Sequence, residues 1–463
     1  MDTALHKAAE SHFDEMLSDL RASIAIPSIL DEAARTEKDP FGPEVTKALE
    51  HFLSCASKLG FRTKNIDNMA GWAEIGEGEL IGILAHLDVV PVGDTGEWKY
   101  PPFSATVAED KLWGRGTADD KGPAFAALYA AKTLLDAGAL NGKRLRLIVG
   151  GDEESGSRCM ARYLKTEEVP AFGFSPDSSF PLINAEKGMA KITVAENFAD
   201  VEDFAEPKLI SIKGGFRYNV VPDRAEAIFE GSFDDQTLEA LRANSKLMVV
   251  EQGGQTHLRA FGKTGHAMAP ETGDNAVLTL CNALCTAEWG PSMAKRFTCA
   301  VSELFTDTRG VAAGIARSDE ISGPLTWNAA IIDVTPERGS LKVDIRYPVT
   351  ADYEALNKDL EKLFASRFMT LTTDHYSPAL FVPPQTPLVT KLLEAYKNVT
   401  GVEGKAQSTG GGTYCRSMPN SVSFGPNFPG EPDLDHQPNE YITLKNLDSL
   451  LHLYTEALSL LVK

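Results

Sequence analysis

111-KLWGRGTADDKG-122 is the stretch on which the reading of this chain turns. Gly114 and Gly116 bracket Arg115 in a tight polar crossing, Asp119 and Asp120 stand side by side, and Lys121-Gly122-Pro123 opens an Ala-rich run of helical character. Read alone, the paired acids suit a helix cap as well as a site, because Asp is favoured at helix starts. The flanks decide between the two. Upstream, 80-LIGIL-84 is an unbroken apolar run of strand length that ends in His86 and Asp88. Downstream, the strand-like run 144–149 ends in Asp152-Glu153-Glu154, and the run 171–175 ends at Asp177. Unbroken apolar runs mark parallel strands buried on both faces. Strand, helix and strand in alternation predict an α/β architecture, a mixed sheet with helices on both faces. In such sheets ligands bind beyond the C-terminal strand ends, which is where these acids and His86 fall.

Working outward, residues 3–25 carry apolar positions at helical spacing and predict one amphipathic helix. A second helix is predicted over 44–59, with short strands at 61–66 and 71–75. After Lys187 the pattern changes to an α+β insertion rich in strands. Within it, 188–198, 208–233, 257–261 and 326–347 read as strand-like, and so does 298–305. Residues 237–252, 275–287 and 353–368 read as helices. The α/β pattern returns with helices predicted over 387–400 and 444–461, separated by the glycine turn 409-TGGGTYCR-416 and by Asp433-Leu434-Asp435-His436. The predicted organisation is a catalytic domain in two parts, 1–187 and 383–463, around an insertion at 188–382.

Composition agrees with a globular protein of more than one domain. The chain has 463 residues, beyond the ~250–300 at which single cores stop growing. It holds 65 acidic against 45 basic residues, a formal net charge of -20, which argues against nucleic acid and anionic membrane surfaces as partners. The six cysteines are scattered and predict reduced thiols. Cys281 and Cys285, four apart, read as helix packing. The N-terminal residues read as an acidic amphipathic helix and not as a leader, no apolar run reaches the ~18 residues of a membrane span, and a cytoplasmic location is expected.

Collected at the strand ends are His86, Asp88, Asp119, Asp120, Glu153, Glu154 and Asp177, with His436 on the returning segment. So many carboxylates in one crevice push protons back onto one another. One or two divalent cations resolve that repulsion, and mixed His and carboxylate donors suit zinc, with manganese or cobalt as alternatives. Glu431, Asp433 and Asp435 add further acids near His436.

Four segments then carry a resemblance. HLDVVP at 86–91, GRGTADDKG at 114–122, GDEESGS at 151–157 and SPDSSFP at 175–181 resemble the dinuclear metallopeptidases that include aminoacylases, glutamate carboxypeptidase and bacterial dipeptidases. FRYNVVPDRAEA at 216–227, TGHAMAPETGDNA at 264–276 and GGGTYCR resemble the branch of peptidase V-like, carnosinase-like dipeptidases. The resemblance implies two divalent metal ions, with Asp119 bridging them. It implies His86 and Asp177 on one ion and Glu154 and His436 on the other. It implies Asp88 orienting His86, Glu153 as general base, and a cis peptide between Asp119 and Asp120. The insertion would act as a lid, with Asn219 and His266 stabilising the reaction intermediate. Arg346, Gly411 and Gly412 would hold the terminal carboxylate of a small peptide substrate. The implied activity is hydrolysis of dipeptides or very short peptides by a monomer. A deacylase or carboxypeptidase acting on N-acyl amino acids is the alternative within the same family, and a non-catalytic binder is disfavoured because Glu153 and every ligand are retained.

Overall fold

The strand Glu79–His86 is buried at every position after Glu79, as its apolar run requires. It lies between two parallel neighbours, Lys143–Gly150 and Phe172–Ser175. The computed structural model of the chain describes residues 3–198, 206–432 and 434–463. The sheet built on that strand runs in the order Arg62–Ile66, Ala70–Gly76, Lys143–Gly150, Glu79–His86, Phe172–Ser175, Ser421–Ser423, Ile183–Glu186. Ala70–Gly76 pairs antiparallel with both its neighbours, so the sheet is mixed.

Alternation along the strands sends side chains to opposite faces. Leu84 and Ile148 join a cluster with Cys159, Met160, Tyr163 and Tyr414. Ile83 and Leu147, equally buried, point the other way, where the helix Lys121–Asp136 contacts both of their strands. That helix is buried along nearly its whole length and packs against the last helix, Leu444–Leu461. Its start is tight. A Cβ on Gly122 would stand 2.1 Å from the Thr117 carbonyl oxygen, and Gly116 has a left-handed φ of 86°, so both positions need glycine. The Asp119–Asp120 peptide is cis, as the resemblance implies.

The chain divides into two units. One runs to Ala185 and takes in Phe381–Ser408 and Gly412–Lys463; the other is Glu186–Leu380 with Thr409–Gly411. The second unit is built on an antiparallel sheet in the order Leu247–Gln252, Gln255–Phe261, Arg224–Glu230, Lys208–Gly214, Thr326–Val334, Arg338–Tyr347, Gly188–Asn197, Thr370–Ser377. Gly188–Asn197 alternates buried and half-buried positions over its length, as a strand with one face in the core does. The helices Asp235–Ala243, Ala276–Thr286, Met293–Leu304 and Tyr353–Ala365 supply Leu241, Leu280, Phe297 and Leu360 to that core.

Four local expectations are corrected. The first helix is two, Thr3–Ser11 and Phe13–Ile24, interrupted at His12. The span 237–252 is a helix only to Ala243; Leu247–Gln252 is a strand on the sheet edge, as its Val249-Val250 pair favours. Residues 298–304 belong to the helix Met293–Leu304, whose start is capped by Ser292 accepting the Lys295 amide at 3.0 Å. Phe297, Val301 and Leu304 then share its buried side. The thiols are not all free. Cys285 and Cys299 form a disulfide between two neighbouring helices, with Cα atoms 5.0 Å apart, while Cys55, Cys159, Cys281 and Cys415 stand outside any disulfide and are buried. Scatter along the sequence hid that pair, because antiparallel packing of the helices brings positions 14 apart together. Among the described residues no helix is long and apolar enough to cross a membrane.

Candidate metal centre

The buried strand Glu79–His86 delivers His86, 1 % exposed, to the C-terminal edge of the first unit's sheet. The ring is held from behind, its Nδ1 lying 2.9 Å from the Asp88 backbone oxygen. Its Nε2 reaches Asp119 Oδ1 at 2.8 Å and stands 3.8 Å from Asp177 Oδ2. His436 arrives on a left-handed backbone, φ 64°, and places Nε2 3.2 Å from Asp119 Oδ2 and 3.1 Å from the Glu154 carboxylate. Two sets of donors therefore share Asp119, one through each oxygen. Donor atoms of His86, Asp119 and Glu154 lie within 4.8 Å of one another, as do those of His86, Glu153 and Asp177. Asp433 lies outside the described residues.

The Asp88 carboxylate stands 3.6 Å from His86 Nδ1 and also accepts the backbone amides of Glu153 and Glu154, each at 3.1 Å. Asp88 thus fixes where Glu153 and Glu154 start.

The electrostatics of this cluster call for positive charge. Burial and then the Asp177 charge push Glu153 well above the usual carboxylate range. Burial and the Asp119 charge raise Glu154 to about 7, and burial raises Asp177 and Asp120 as well. The histidines respond in the opposite sense. Burial disfavours the charged His86 ring, yet the neighbouring carboxylates of Asp119, Asp177 and Asp88 outweigh it and raise its pKa. Burial likewise opposes the charge on His436, but Asp119 and Glu154 lift it to about 11. Against its own burial, Asp119 is held low by His436 and His86. Imidazole and carboxylate donors crowded on this scale fit a pair of divalent cations.

The remaining candidate residues divide between the units. Gly412 belongs to the first, where a Cβ would stand 2.4 Å from the Arg416 guanidinium carbon. Asn219, His266, Arg346 and Gly411 belong to the second, and there they are linked. The Asn219 carbonyl accepts the Ala267 amide at 2.9 Å, and Val220 pairs with His266. The Ala267 carbonyl accepts from Thr326 Oγ1 at 3.2 Å, and Thr326 is the strand partner of Arg346. Arg346 is 4 % exposed and forms a two-pronged pair with Asp344, Nε at 2.6 Å and Nη2 at 3.0 Å, while Nη1 donates to the Gly410 oxygen at 3.1 Å. Three of its five N–H groups are thereby engaged inside the unit. The Gly411 amide is not the open donor that the glycine turn suggested, since it donates to Thr409 Oγ1 at 3.0 Å.

Sequence reading passed over Lys121. Its ammonium group is fully buried and donates to the Ser23 and Ile26 carbonyl oxygens at 2.9 and 2.8 Å. Burial lowers its pKa to about 7. A lysine between a paired acid and a glycine was the only sign, and nothing in it showed that the chain end of the second helix passes overhead.

Comparison with known proteins gives the family and the fold. Residues 82–460 match the model of Peptidase family M20/M25/M40. The chain is 40% identical over 460 residues to a Bacillus subtilis protein named "Putative dipeptidase YtjP", covering 97% of this chain and 98% of that one. Among solved structures it is similar to human carnosine dipeptidase 1, with a TM-score of 0.58 at 16% identity over 99% of this chain and 98% of that one. It is also similar to the di-peptidase Dug1p from Saccharomyces cerevisiae, with a TM-score of 0.57 at 15% identity over 99% and 98% of the two chains. At those identities the two structures speak for the fold.

Proposed function

We propose that this chain, which belongs to Peptidase family M20/M25/M40, is a metal-dependent dipeptidase that hydrolyses the peptide bond of dipeptides or very short peptides. The observation that carries the reading is the convergence of His86, Asp119, Glu154, Asp177 and His436 at one sheet edge, with Asp119 offering one oxygen to each histidine. His86, Asp119 and Asp177 would hold one divalent ion, and Asp119, Glu154 and His436 the other. Zinc is the ion we assign first, with manganese and cobalt sharing its donor preferences. Bound there, the pair supplies Lewis acidity toward the scissile carbonyl and lowers the pKa of an attacking water.

The side chains supply the rest. Glu153, positioned by the Asp88 grip on its amide, takes a proton from the water at its carboxylate and delivers it to the nitrogen of the leaving residue. One C–N bond breaks, the hydroxyl joins the carbonyl carbon and the hydrogen joins the amine. The burial that raises the Glu153 pKa suits a group that must hold this proton between the two transfers. From the second unit, Asn219 and His266 would donate to the oxygen on which charge develops. The two N–H groups of Arg346 not engaged by Asp344 and Gly410 would take the terminal carboxylate of the substrate, with Gly411 and Gly412 shaping the turn beside it. We further assign the protein to the cytoplasm as a monomer.

The test is a panel of dipeptides, tripeptides and N-acetyl amino acids, assayed with chelator-stripped protein and again after adding back zinc, manganese or cobalt. Hydrolysis confined to reloaded protein and to free-amine dipeptides supports the proposal. Preference for N-acetyl amino acids would move the protein to the deacylase reading. Activity that survives stripping would remove the metal from the mechanism.

A further inference from the structure

Two charged side chains that the reaction does not use are sealed inside the first unit, next to the loop that carries Asp119. Arg115 is 2 % exposed and Glu440 is fully buried, and Arg115 Nη1 donates to Glu440 Oε2 at 2.6 Å. Their other bonds run to the two segments that hold the candidate ligands. Glu440 Oε1 accepts the Ala118 amide at 3.0 Å and the amide of Asp119 itself at 3.4 Å, with Thr117 Oγ1 at 3.5 Å. Arg115 Nη1 also reaches the Gln437 carbonyl oxygen, one residue after His436, at 3.2 Å. The Glu440 carbonyl accepts the Gly114 amide at 3.0 Å, and the next residues, Tyr441–Thr443, pair antiparallel with Lys111–Trp113. The Trp98 ring covers the guanidinium, 5.2 Å away.

We propose that the Arg115–Glu440 pair is a positioning device that sets the separation between Asp119 and His436, and so the affinity of the metal site those two residues share. Burying an ion pair is costly and gives little net stability over an apolar replacement. Among the described residues, this pair bonds to the backbone of one ligand residue and to the residue beside another. A shortened or neutral side chain at 440 lets the Ala118–Asp119 backbone move relative to His436, and partners behind a ligand of this kind set metal affinity by roughly 10–100-fold. The inference rests on the assignment of Asp119 and His436 as ligands, and the test separates the two.

Wild type, Glu440→Gln, Glu440→Asp and the double variant Arg115→Met with Glu440→Gln are stripped and titrated with zinc by calorimetry. Their metal-free unfolding midpoints are measured alongside kcat and KM on a dipeptide. The double variant leaves no charge buried without a partner, so it folds even where Glu440→Gln does not, and Glu440→Asp keeps the charge while shortening the reach. The expected result is two zinc equivalents in wild type. In the variants, one equivalent is weakened about 10–100-fold and kcat falls with KM within about twofold, including in the double variant whose metal-free midpoint stays near wild type. Wild-type affinity for both equivalents in any folded variant overturns the inference. Zinc binding absent from wild type itself overturns the ligand assignment instead.

Discussion

Glu153 and Glu154 are neighbours that the fold puts to different uses. Glu154 faces His436 at 3.1 Å, whereas donor atoms of Glu153 gather with His86 and Asp177. The two lie in a turn whose Glu153 and Glu154 amides are both gripped by the Asp88 carboxylate, and from it their side chains leave in different directions. Replacing Glu153 by Ala is therefore expected to leave metal content near the wild-type ratio while kcat falls by about 10²–10⁴-fold, the share general acid–base groups contribute. Metal analysis by plasma emission beside steady-state kinetics checks it; a joint loss of metal and rate would make Glu153 a ligand. The types and positions of these residues were legible in the sequence, because each closes an apolar run. The direction of the Asp88 side chain was not. It depends on which backbone amides the packing brings to the carboxylate, here those of Glu153 and Glu154, and the spacing of two residues leaves that open.

Helices give the next scale. Thr3–Ser11 docks on Leu444–Leu461 through a small polar cluster. His6 Nε2 meets Glu456 Oε2 at 3.1 Å, His6 Nδ1 meets His452 Nδ1 at 2.9 Å, and Asn398 donates to Glu456 Oε1 at 2.8 Å. The hydrogen bond from His6 lowers the Glu456 pKa against its burial, with Asn398 adding to it. A carboxylate with a depressed folded pKa contributes stability above its unfolded value and loses it as pH falls through the folded one. Glu456→Gln should accordingly lower the unfolding midpoint at pH 7. The gap to wild type should close as pH falls below ~4.3, which thermal melts across pH will read. In the second unit the Cys285–Cys299 disulfide joins the helices Ala276–Thr286 and Met293–Leu304. Closing a loop of about that length is worth ~3 kcal/mol. Cys299→Ser should lower the midpoint, and alkylation of unfolded, unreduced wild type should label only the four cysteines outside the disulfide. Helix 293–304 was misread because Thr298 and Val301 favour strands locally. Its capping by Ser292 and the apolar side it buries overrode that preference.

Across the whole molecule, the candidate metal ligands all lie in one unit and Asn219, His266 and Arg346 in the other. His266→Ala should lower kcat while the metal-to-protein ratio and the zinc-dependent rise in unfolding midpoint stay as in wild type. Loss of a metal equivalent in that variant would place His266 among the ligands. The sequence by itself determined the α/β class, the order of strands and helices around the motif at 111–122, and which acids and histidines stand at strand ends. Each of these is written in local periodicity, in glycine and proline placement, and in motif spacing, all short-range properties of a chain. Only the tertiary structure decided that residues from position 86 to position 436 share one cluster. It alone decided that Asp88 serves the Glu153 loop and that Asp344 takes two of the five N–H groups of Arg346. It alone showed that Arg115 finds its partner at Glu440, and Cys285 at Cys299. Those pairings are set by burial. Once water is excluded, each donor, charge and thiol must take a partner from whatever element the packing brings within about 3 Å, and no local pattern in the sequence carries that distance.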